Sequence, residues 1–271
     1  MTKLANLDAR WVYLSVFLAV FLPLFRPLGL PITVGDVTRA TYAFVESLPS
    51  EARVIVSPSF SPSSDAEVLP QMMAVVRHLM SKKARLVWVS LTVEASTYAG
   101  RAMDSLSGEY SYQYGQDYVI LPFMPGQQTA IAAMANDFRQ AVSADLRGIS
   151  VWGFEIMKGI HSISDFDLLV DFNTGDTSIY YLQQVQPMGV PVIAGASGVT
   201  VPYLMPYLGT GQLSGLLGGL RGAAEYEMAS NNPGQALSSM DAQSLSHAII
   251  VAFILMGNVS SIVPRLRSDF R

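Results

Sequence analysis

The chain has 271 residues, of which 50% are hydrophobic and 14% charged, and its formal net charge is −4. An ordinary soluble domain carries roughly 25% charged residues, so this composition indicates burial in a membrane as well as in a core. The chain contains no cysteine, which excludes disulfides, thiolate metal sites and cysteine nucleophiles. Residues 27–240 hold 11 Lys and Arg against 18 Asp and Glu, and this net charge of −7 argues against nucleic acid as a partner.

The first predicted element is an apolar segment from Trp11 to Phe25, bracketed by Arg10 and Arg26. It is short for a membrane crossing, but the chain stays largely apolar to Ile32, and a long arginine side chain reaches the interface from within the membrane. A secretory signal peptide is the competing interpretation, because a basic start and an apolar stretch of this length suit one. No small-x-small cleavage site follows, so we favour an uncleaved transmembrane anchor over residues 1–32.

Residues 33–200 alternate between β-branched apolar runs and segments with apolar residues at helical spacing. The predicted strands are 52–60, 85–92, 117–123, 166–172 and 190–197, and the predicted helices are 67–82, 93–106, 127–142 and 177–186. Near-continuous apolar strands separated by helices are typical of a parallel sheet covered on both faces. We therefore predict one α/β domain with a doubly wound, mostly parallel five-stranded sheet, Rossmann-like or flavodoxin-like.

A glycine-rich segment follows at residues 201–240. Its repeated glycines are Gly211, Gly215, Gly218, Gly219 and Gly222. Glycine costs about 1 kcal/mol relative to alanine inside a helix, so a packing gain is expected to offset this cost. Repeated GxxxG spacing lets another backbone approach closely, as it does between membrane helices. We predict a membrane-proximal or subunit-contacting segment that packs through these glycines; a glycine-rich loop followed by a short helix is the alternative.

The last predicted element is the uncharged stretch of 23 residues between Asp241 and Arg265. At about 1.5 Å rise per residue, it is long enough to cross a hydrocarbon layer of about 30 Å. We predict that residues 241–271 form a transmembrane helix with a basic tail, with a buried core helix as the alternative. Basic residues near both ends place both termini in the cytoplasm, so two spans leave the α/β domain extracytoplasmic. These residues are Lys3, Arg10, Arg265, Arg267 and Arg271.

The loop after the first strand is the first candidate for a binding site, because open parallel sheets bind ligands at the carboxyl ends of their strands. Hydroxyl and carboxyl groups of Ser59, Ser61, Ser64 and Asp65 there surround a predicted helix N-terminus, which favours anions. The loop has no glycine and two prolines, so it is neither a Walker loop nor a GxGxxG fingerprint. Simple helix capping, with Ser64 and Glu67 spaced as a capping box, is the alternative.

No catalytic constellation in the sequence is complete. Residues 195–198 lack the G-x-S-x-G pattern of a nucleophile elbow, and the three histidines lack HExxH spacing. Asp165, Asp167 and Asp171 offer carboxylates for a hard metal ion, but edge and turn roles fit their spacing better. We therefore assign no catalytic residue, no metal and no cofactor, and we favour a protein that is not an enzyme.

The order of the parts resembles that of a known group of proteins. An N-terminal anchor precedes an α/β domain that begins near TRATYAFVESLPSEARVIVSPSF (38–60), and a C-terminal anchor follows. This layout, with a helix ending at Leu48 and Pro49 before the first strand, resembles the auxiliary membrane components of ABC transporters of the gliding-motility type. The resemblance implies a Rossmann-like extracytoplasmic domain without catalysis, and it assigns no functional residue.

Two functions agree with these features. The first is a membrane-anchored, non-catalytic scaffold or accessory subunit, which docks on a larger membrane complex or on further copies of itself. Its partners are the lipid bilayer and other membrane-protein subunits. The second is a ligand-binding or hydrolytic α/β domain at the membrane surface, which uses the loops after Phe60, Thr92, Phe172 and Ser197.

Overall fold

The structure is a computed structural model that describes residues 8–26 and 28–269, and its contacts divide the chain into two compact units. One unit is Ile32–Gly234, and the other combines Met1–Pro31 with Gln235–Arg271. Two of the basic residues that orient the chain in our prediction, Lys3 and Arg271, lie outside the described residues.

The larger unit alternates strands and helices along the chain. Its strands are β1 (Arg53–Ser59), β2 (Arg85–Ser90), β3 (Tyr118–Phe123), β4 (Leu168–Asn173), β5 (Val192–Ala196) and β6 (Gly215–Gly218). The first helix of the chain, α1 (Ala9–Phe25), belongs to the smaller unit. The helices of the larger unit are α2 (Asp36–Glu46), α3 (Asp65–Ser81), α4 (Ala95–Tyr110), α5 (Gln128–Asn136), α6 (Phe138–Ala141), α7 (Thr177–Gln184), α8 (Val201–Gly209) and α9 (Gly219–Ala229).

All six strands form one parallel sheet in the order β3-β2-β1-β4-β5-β6. This is the doubly wound order of the Rossmann fold. Val54 in β1 pairs with Leu86 in β2 on one side and with Leu168 in β4 on the other. The predicted fold class is thus confirmed for the α/β unit, and each of the five predicted strands is present. The sixth strand was not predicted.

Alternate residues of the strands supply two apolar layers, one on each face of the sheet. Val54 and Val56 of β1 belong to the layer that α3 and α4 cover. Ile55, between them, belongs to the layer that α5 and α7 cover. Successive side chains of a strand point to opposite faces, so a continuous apolar run fills both layers at once. The sheet is therefore buried from both sides, and its strand ends are left for a site.

The glycine-rich segment does not form one helix, so its five glycines do not share a helix face. Gly211 lies in a turn with φ +74°, Gly215 and Gly218 are the two ends of β6, and Gly219 and Gly222 belong to α9. The expectation of GxxxG packing along a single helix is wrong, because the four residues of β6 pair with β5 instead.

Close packing inside the α/β unit explains two of these glycines. A Cβ atom on Gly215 would lie 2.9 Å from both Oγ1 and Cγ2 of Thr41, and one on Gly218 would lie 2.7 Å from Cγ2 of Val201. Both distances are shorter than real Cβ contacts, so a side chain at either position requires a shift of its neighbours. Contact of this segment with another subunit stays a prediction.

The smaller unit contains the terminal helices α1 (Ala9–Phe25) and α10 (Gln235–Asp269), which pack against each other. The carboxylate of Asp241 accepts hydrogen bonds from the backbone N–H groups of Leu28, Gly29 and Leu30 at 2.7, 2.9 and 3.1 Å. These bonds hold the segment after α1 to the first turns of α10. Because the end of one helix thus meets the start of the other, the pair is an antiparallel hairpin.

Large apolar side chains of this helical hairpin face outward. They include Trp11, Phe17, Phe21 and Phe25 of α1 and Val251, Ile254 and Leu255 of α10. Among the described residues, α10 is the one helix long and apolar enough to cross a membrane: within Gln235–Val259, an 18-residue stretch reaches a mean hydropathy of 1.5, and 6% of that stretch is buried. The 17 residues of α1 form a shorter apolar helix. Of the two predicted spans, length and composition therefore support one.

Candidate functional site

A cleft of about 310 Å³ opens at the carboxyl ends of the strands. We call it the switch-point cleft, because β1 and β4 are neighbours from which the chain winds in opposite directions, and doubly wound proteins bind ligands at this position. Its lining residues are the last residue of β1 and residues that follow β1, β2, β3 and β4: Ser59, Phe60, Ser61, Thr92, Glu94, Gln127, Thr174, Gly175, Asp176 and Thr177. The volume suits a small molecule.

Three helices begin at this cleft. Glu94, Gln127 and Asp176 are the residues directly before α4, α5 and α7, and all three line the cavity. Helix N-termini attract negative charge. The lining contains no lysine or arginine, however, and two of the three capping residues are themselves carboxylates. The cleft therefore presents hydroxyl, amide and carboxylate groups, which differ from the basic surroundings of a typical phosphate site.

Gln127 holds an unusual backbone conformation at the rim of the cleft, with φ 40° and ψ −99°. A positive φ costs a residue with a side chain about 1–3 kcal/mol, and such strain is concentrated at functional sites. The conformation starts α5 beside the cavity, where Gln127 is one of the lining residues.

A buried polar network lies beneath the cleft, and it joins β1, β4 and α7. The carboxylate oxygen Oδ2 of Asp171 accepts hydrogen bonds from the hydroxyls of Thr177 and Ser178, each at 2.8 Å. On β1, the hydroxyls of Ser57 and Ser59 lie 3.0 Å apart. Because Ser59 and Thr177 also line the cavity, the network reaches the cleft through these two residues.

Burial raises the pKa of Asp171 above its ordinary value. The hydroxyls of Ser178, Thr177, Ser59 and Ser57 lower the pKa, but their effect is smaller than that of desolvation. Oxygen Oδ1 of Asp171 makes no hydrogen bond of normal geometry within the described residues. A fully buried carboxyl with an unsatisfied oxygen is unfavourable for folding, so stability does not explain its presence.

Two of the four predicted ligand-binding residues, Ser59 and Ser61, line the switch-point cleft. The other two are not among its lining residues. Ser64 precedes α3 without a side-chain capping bond, so the expected capping box does not form; Oε2 of Glu67 instead accepts from the N–H of Gly198 at 2.8 Å. Asp65 accepts a hydrogen bond from the hydroxyl of Tyr98.

Several cleft residues were missed in the sequence, notably Glu94, Gln127 and Thr177. They lie far apart along the chain, and only the strand order brings them together. One signal was available: Thr177 begins the helix that follows the fourth predicted strand, and the carboxyl ends of parallel strands meet at one edge of the sheet.

The three aspartates considered as metal ligands have separate roles. Asp165 accepts from the backbone N–H groups of His161 and Ser162, at 2.8 and 2.9 Å, and the N–H of Arg53 donates to Asp167 at 2.8 Å. Asp171 belongs to the buried network. Within residues 8–26 and 28–269, no group of three His, Cys, Asp or Glu side chains is placed to hold a metal ion.

Comparison with known proteins adds no relative: no protein family, no curated protein and no solved structure matches this chain.

Proposed function

We propose that this protein is a membrane-anchored Rossmann-like domain that binds a small polar molecule in the switch-point cleft. One observation carries the proposal: the loops after four strands leave an open cavity at the topological switch point, and hydroxyl, amide and carboxylate groups line it. The strained backbone of Gln127 at its rim and the buried Asp171 beneath it support the same position.

The hairpin of α1 and α10 is proposed to anchor this domain in a lipid bilayer. The outward-facing apolar side chains of both helices support that role, because water disfavours so large an apolar surface. In this proposal α1 and α10 both cross the bilayer, both termini are cytoplasmic, and the α/β domain is extracytoplasmic. The 17 residues of α1 reach about 25 Å, so its crossing requires local thinning of the bilayer or part of the chain after Phe25.

The test of ligand binding is native mass spectrometry of the full chain, purified from membranes in a mild detergent. Gly175 lines the cleft, and a Cβ atom there would meet no atom within 4 Å, so Gly175→Trp fills the cavity without displacing the core. Gly153→Trp is the matched control, because Gly153 is exposed, equally free of neighbours and outside the cleft.

We expect the wild-type chain and Gly153→Trp to carry a bound small molecule that Gly175→Trp has lost. If the wild-type protein carries no molecule, or if Gly175→Trp retains the same one, the cleft is not a binding site and the proposal fails.

A second candidate function is that of an accessory subunit which docks on a membrane complex or on copies of itself. The observation that favours it is the apolar exposure of α1, whose large side chains Trp11, Tyr13, Phe17 and Phe25 are not covered by its packing against α10. Neighbouring helices could cover this surface as well as lipid does. Stoichiometric protein partners or a discrete homo-oligomer in the same mass spectra would support this function, and a monomer in all of them would contradict it.

A further inference from the structure

A second cleft, here called the side cleft, adjoins the switch-point cleft. It measures about 280 Å³ and is lined by Thr174, Gly175, Asp176, Ile179, Val199, Thr200, Tyr203 and Leu204. Thr174, Gly175 and Asp176 line both clefts, so a single loop after β4 is their common wall. A ligand that crosses this loop occupies both cavities.

The two clefts differ in chemistry. Half of the side cleft's lining residues are apolar or aromatic, and two of them are strongly exposed: Val199 by 79% and Tyr203 by 70%. In the switch-point cleft, the one such residue is the buried Phe60. Adjacent exposed apolar side chains at the edge of a polar cavity suit an apolar extension of the molecule that the cavity holds.

We propose that the ligand is an amphiphile with a neutral, sugar-like head in the switch-point cleft and an alkyl chain in the side cleft; this inference rests on the proposed ligand binding. The head is assigned by charge. Glu94 and Asp176 repel an anionic head, and the lining offers no lysine or arginine to bind one. The carboxylates of Glu94 and Asp176 can instead accept hydrogen bonds, and an amide such as that of Gln127 can both accept and donate them, as vicinal hydroxyl groups require.

The anchor provides the source of such a molecule. Because α10 begins directly after the α/β unit ends at Gly234, the domain is tethered to the helix that is long and apolar enough to enter a bilayer. A tethered domain meets membrane amphiphiles at a high local concentration, whereas a free sugar gains nothing from the tether.

The test compares n-hexyl β-D-glucoside with glucose and n-hexyl phosphate. Binding to the full chain in lipid nanodiscs is measured by titration calorimetry, with empty nanodiscs subtracted. We expect hexyl glucoside to bind more tightly than glucose by about fourfold for each buried methylene, or roughly 60-fold for three. Hexyl phosphate, with the same tail, should bind at least tenfold more weakly than hexyl glucoside.

Two variants locate the tail. Tyr203→Ser removes the exposed ring of the side cleft and should reduce the advantage of the hexyl chain at least fivefold, without changing the affinity for glucose. Met228→Ser, at an exposed apolar residue of α9, is the matched control and should change neither affinity. Gly175→Trp should abolish binding of both sugars.

The outcomes separate this inference from the proposed function. If glucose and hexyl glucoside bind equally and Gly175→Trp abolishes both, the cleft binds a polar molecule and the amphiphile is wrong. If hexyl phosphate binds as tightly as hexyl glucoside, the assignment of a neutral head group is wrong. If no probe binds, the sugar-like amphiphile is wrong, while native mass spectrometry still decides whether the cleft holds another molecule.

Discussion

The buried carboxyl of Asp171 makes the stability of the protein depend on pH. Because burial raises its folded-state pKa, the group favours the folded state below its ordinary pKa of 3.8, and this contribution is lost as the pH rises through the folded-state value. A neutral side chain of the same shape avoids the loss. Thr177 and Ser178 can still donate to the oxygen of an asparagine there.

We therefore expect Asp171→Asn to unfold at a higher temperature than the wild-type protein at pH 8, with the difference shrinking toward pH 4. Thermal unfolding of the full chain in detergent across this range measures it. Asp176→Asn, at an exposed position, should show no such trend. A wild-type protein that is more stable than Asp171→Asn at every pH would show that the carboxylate is structural.

His78 has the opposite dependence on pH. It is buried between α2 and α9: its Nε2 lies 2.7 Å from Oε2 of Glu46 and its Nδ1 2.8 Å from the hydroxyl of Tyr226. Desolvation lowers the pKa of His78. The neighbouring Glu46 raises this pKa by a smaller amount, and the positive charge of Lys82 lowers it further. A neutral ring that donates to Glu46 and accepts from Tyr226 satisfies both partners.

A depressed histidine pKa means that the unfolded chain binds a proton which the folded chain resists. Stability should therefore fall as the pH drops below about 6.5. We expect His78→Gln to lose part of the difference in unfolding temperature between pH 7.5 and pH 5, and His161→Gln, at an exposed histidine, to keep all of it. Equal differences in the two variants would mean that other groups cause the acid sensitivity.

Among the secondary-structure elements, β6 is a strand that sequence patterns do not predict. Its four residues, GLLG, are too few for a periodic signal, and glycine disfavours strands. Tertiary contacts form the strand instead: it pairs with β5, and the hydroxyl of Thr41 accepts from the N–H of Leu216 at 2.9 Å. The five longer strands were predictable because their apolar runs fill both core layers by themselves.

The close packing of β6 can be tested with a substitution at Gly215. Gly215→Ala places a methyl group 2.9 Å from Thr41, whose hydroxyl is already bonded, so the strand or α2 must move. We expect the free energy of unfolding to fall by about 1–3 kcal/mol, as overpacking of a core does. Gly209→Ala, with no atom within 4 Å, is the control for chemical denaturation, and equal stabilities would refute the close packing.

The candidate site was predictable only in part, because the order of the strands in the sheet decides which loops meet. Ser59 ends β1 and Ser61 lies two residues after it, so the rule for carboxyl ends identifies them. Glu94 and Gln127 enter the cleft because β2 and β3 lie on the same side of β1, and periodicity contains no information on strand order.

Asp241 links the two helices of the hairpin through hydrogen bonds. Its carboxylate accepts three backbone hydrogen bonds, from residues 28–30. A single hydrogen bond to a charged group contributes about 1.5–3 kcal/mol to stability. Asp241→Asn removes the negative charge and replaces one acceptor oxygen by an NH2 group, which is itself a donor and cannot accept from the backbone N–H groups. We expect the hairpin to become sensitive to protease at lower temperature, whereas Gln243→Ala, exposed on the same helix, should not change it. Unchanged cleavage of Asp241→Asn would contradict this role.

For the whole molecule, the proposed anchoring makes the position of the α/β domain depend on how many helices of the hairpin cross the bilayer. A hairpin whose two helices both cross places the ends of the chain on one side of the bilayer and the α/β domain on the other. A single crossing by α10 leaves the N-terminus on the side of the domain. The cysteine-free sequence makes these arrangements measurable, because an introduced cysteine is the sole target of a thiol reagent.

Single cysteines are placed by Thr2→Cys, Ser105→Cys and Ser268→Cys and treated in intact cells with a membrane-impermeant maleimide. Ser105 is exposed on α4, so its labelling reports the side of the α/β domain. We expect only Ser105→Cys to react until the membrane is permeabilised, because two crossings shield both ends. If Thr2→Cys reacts together with Ser105→Cys while Ser268→Cys stays protected, α1 does not cross, and its exposed apolar side chains must be covered by lipid at the interface or by a partner.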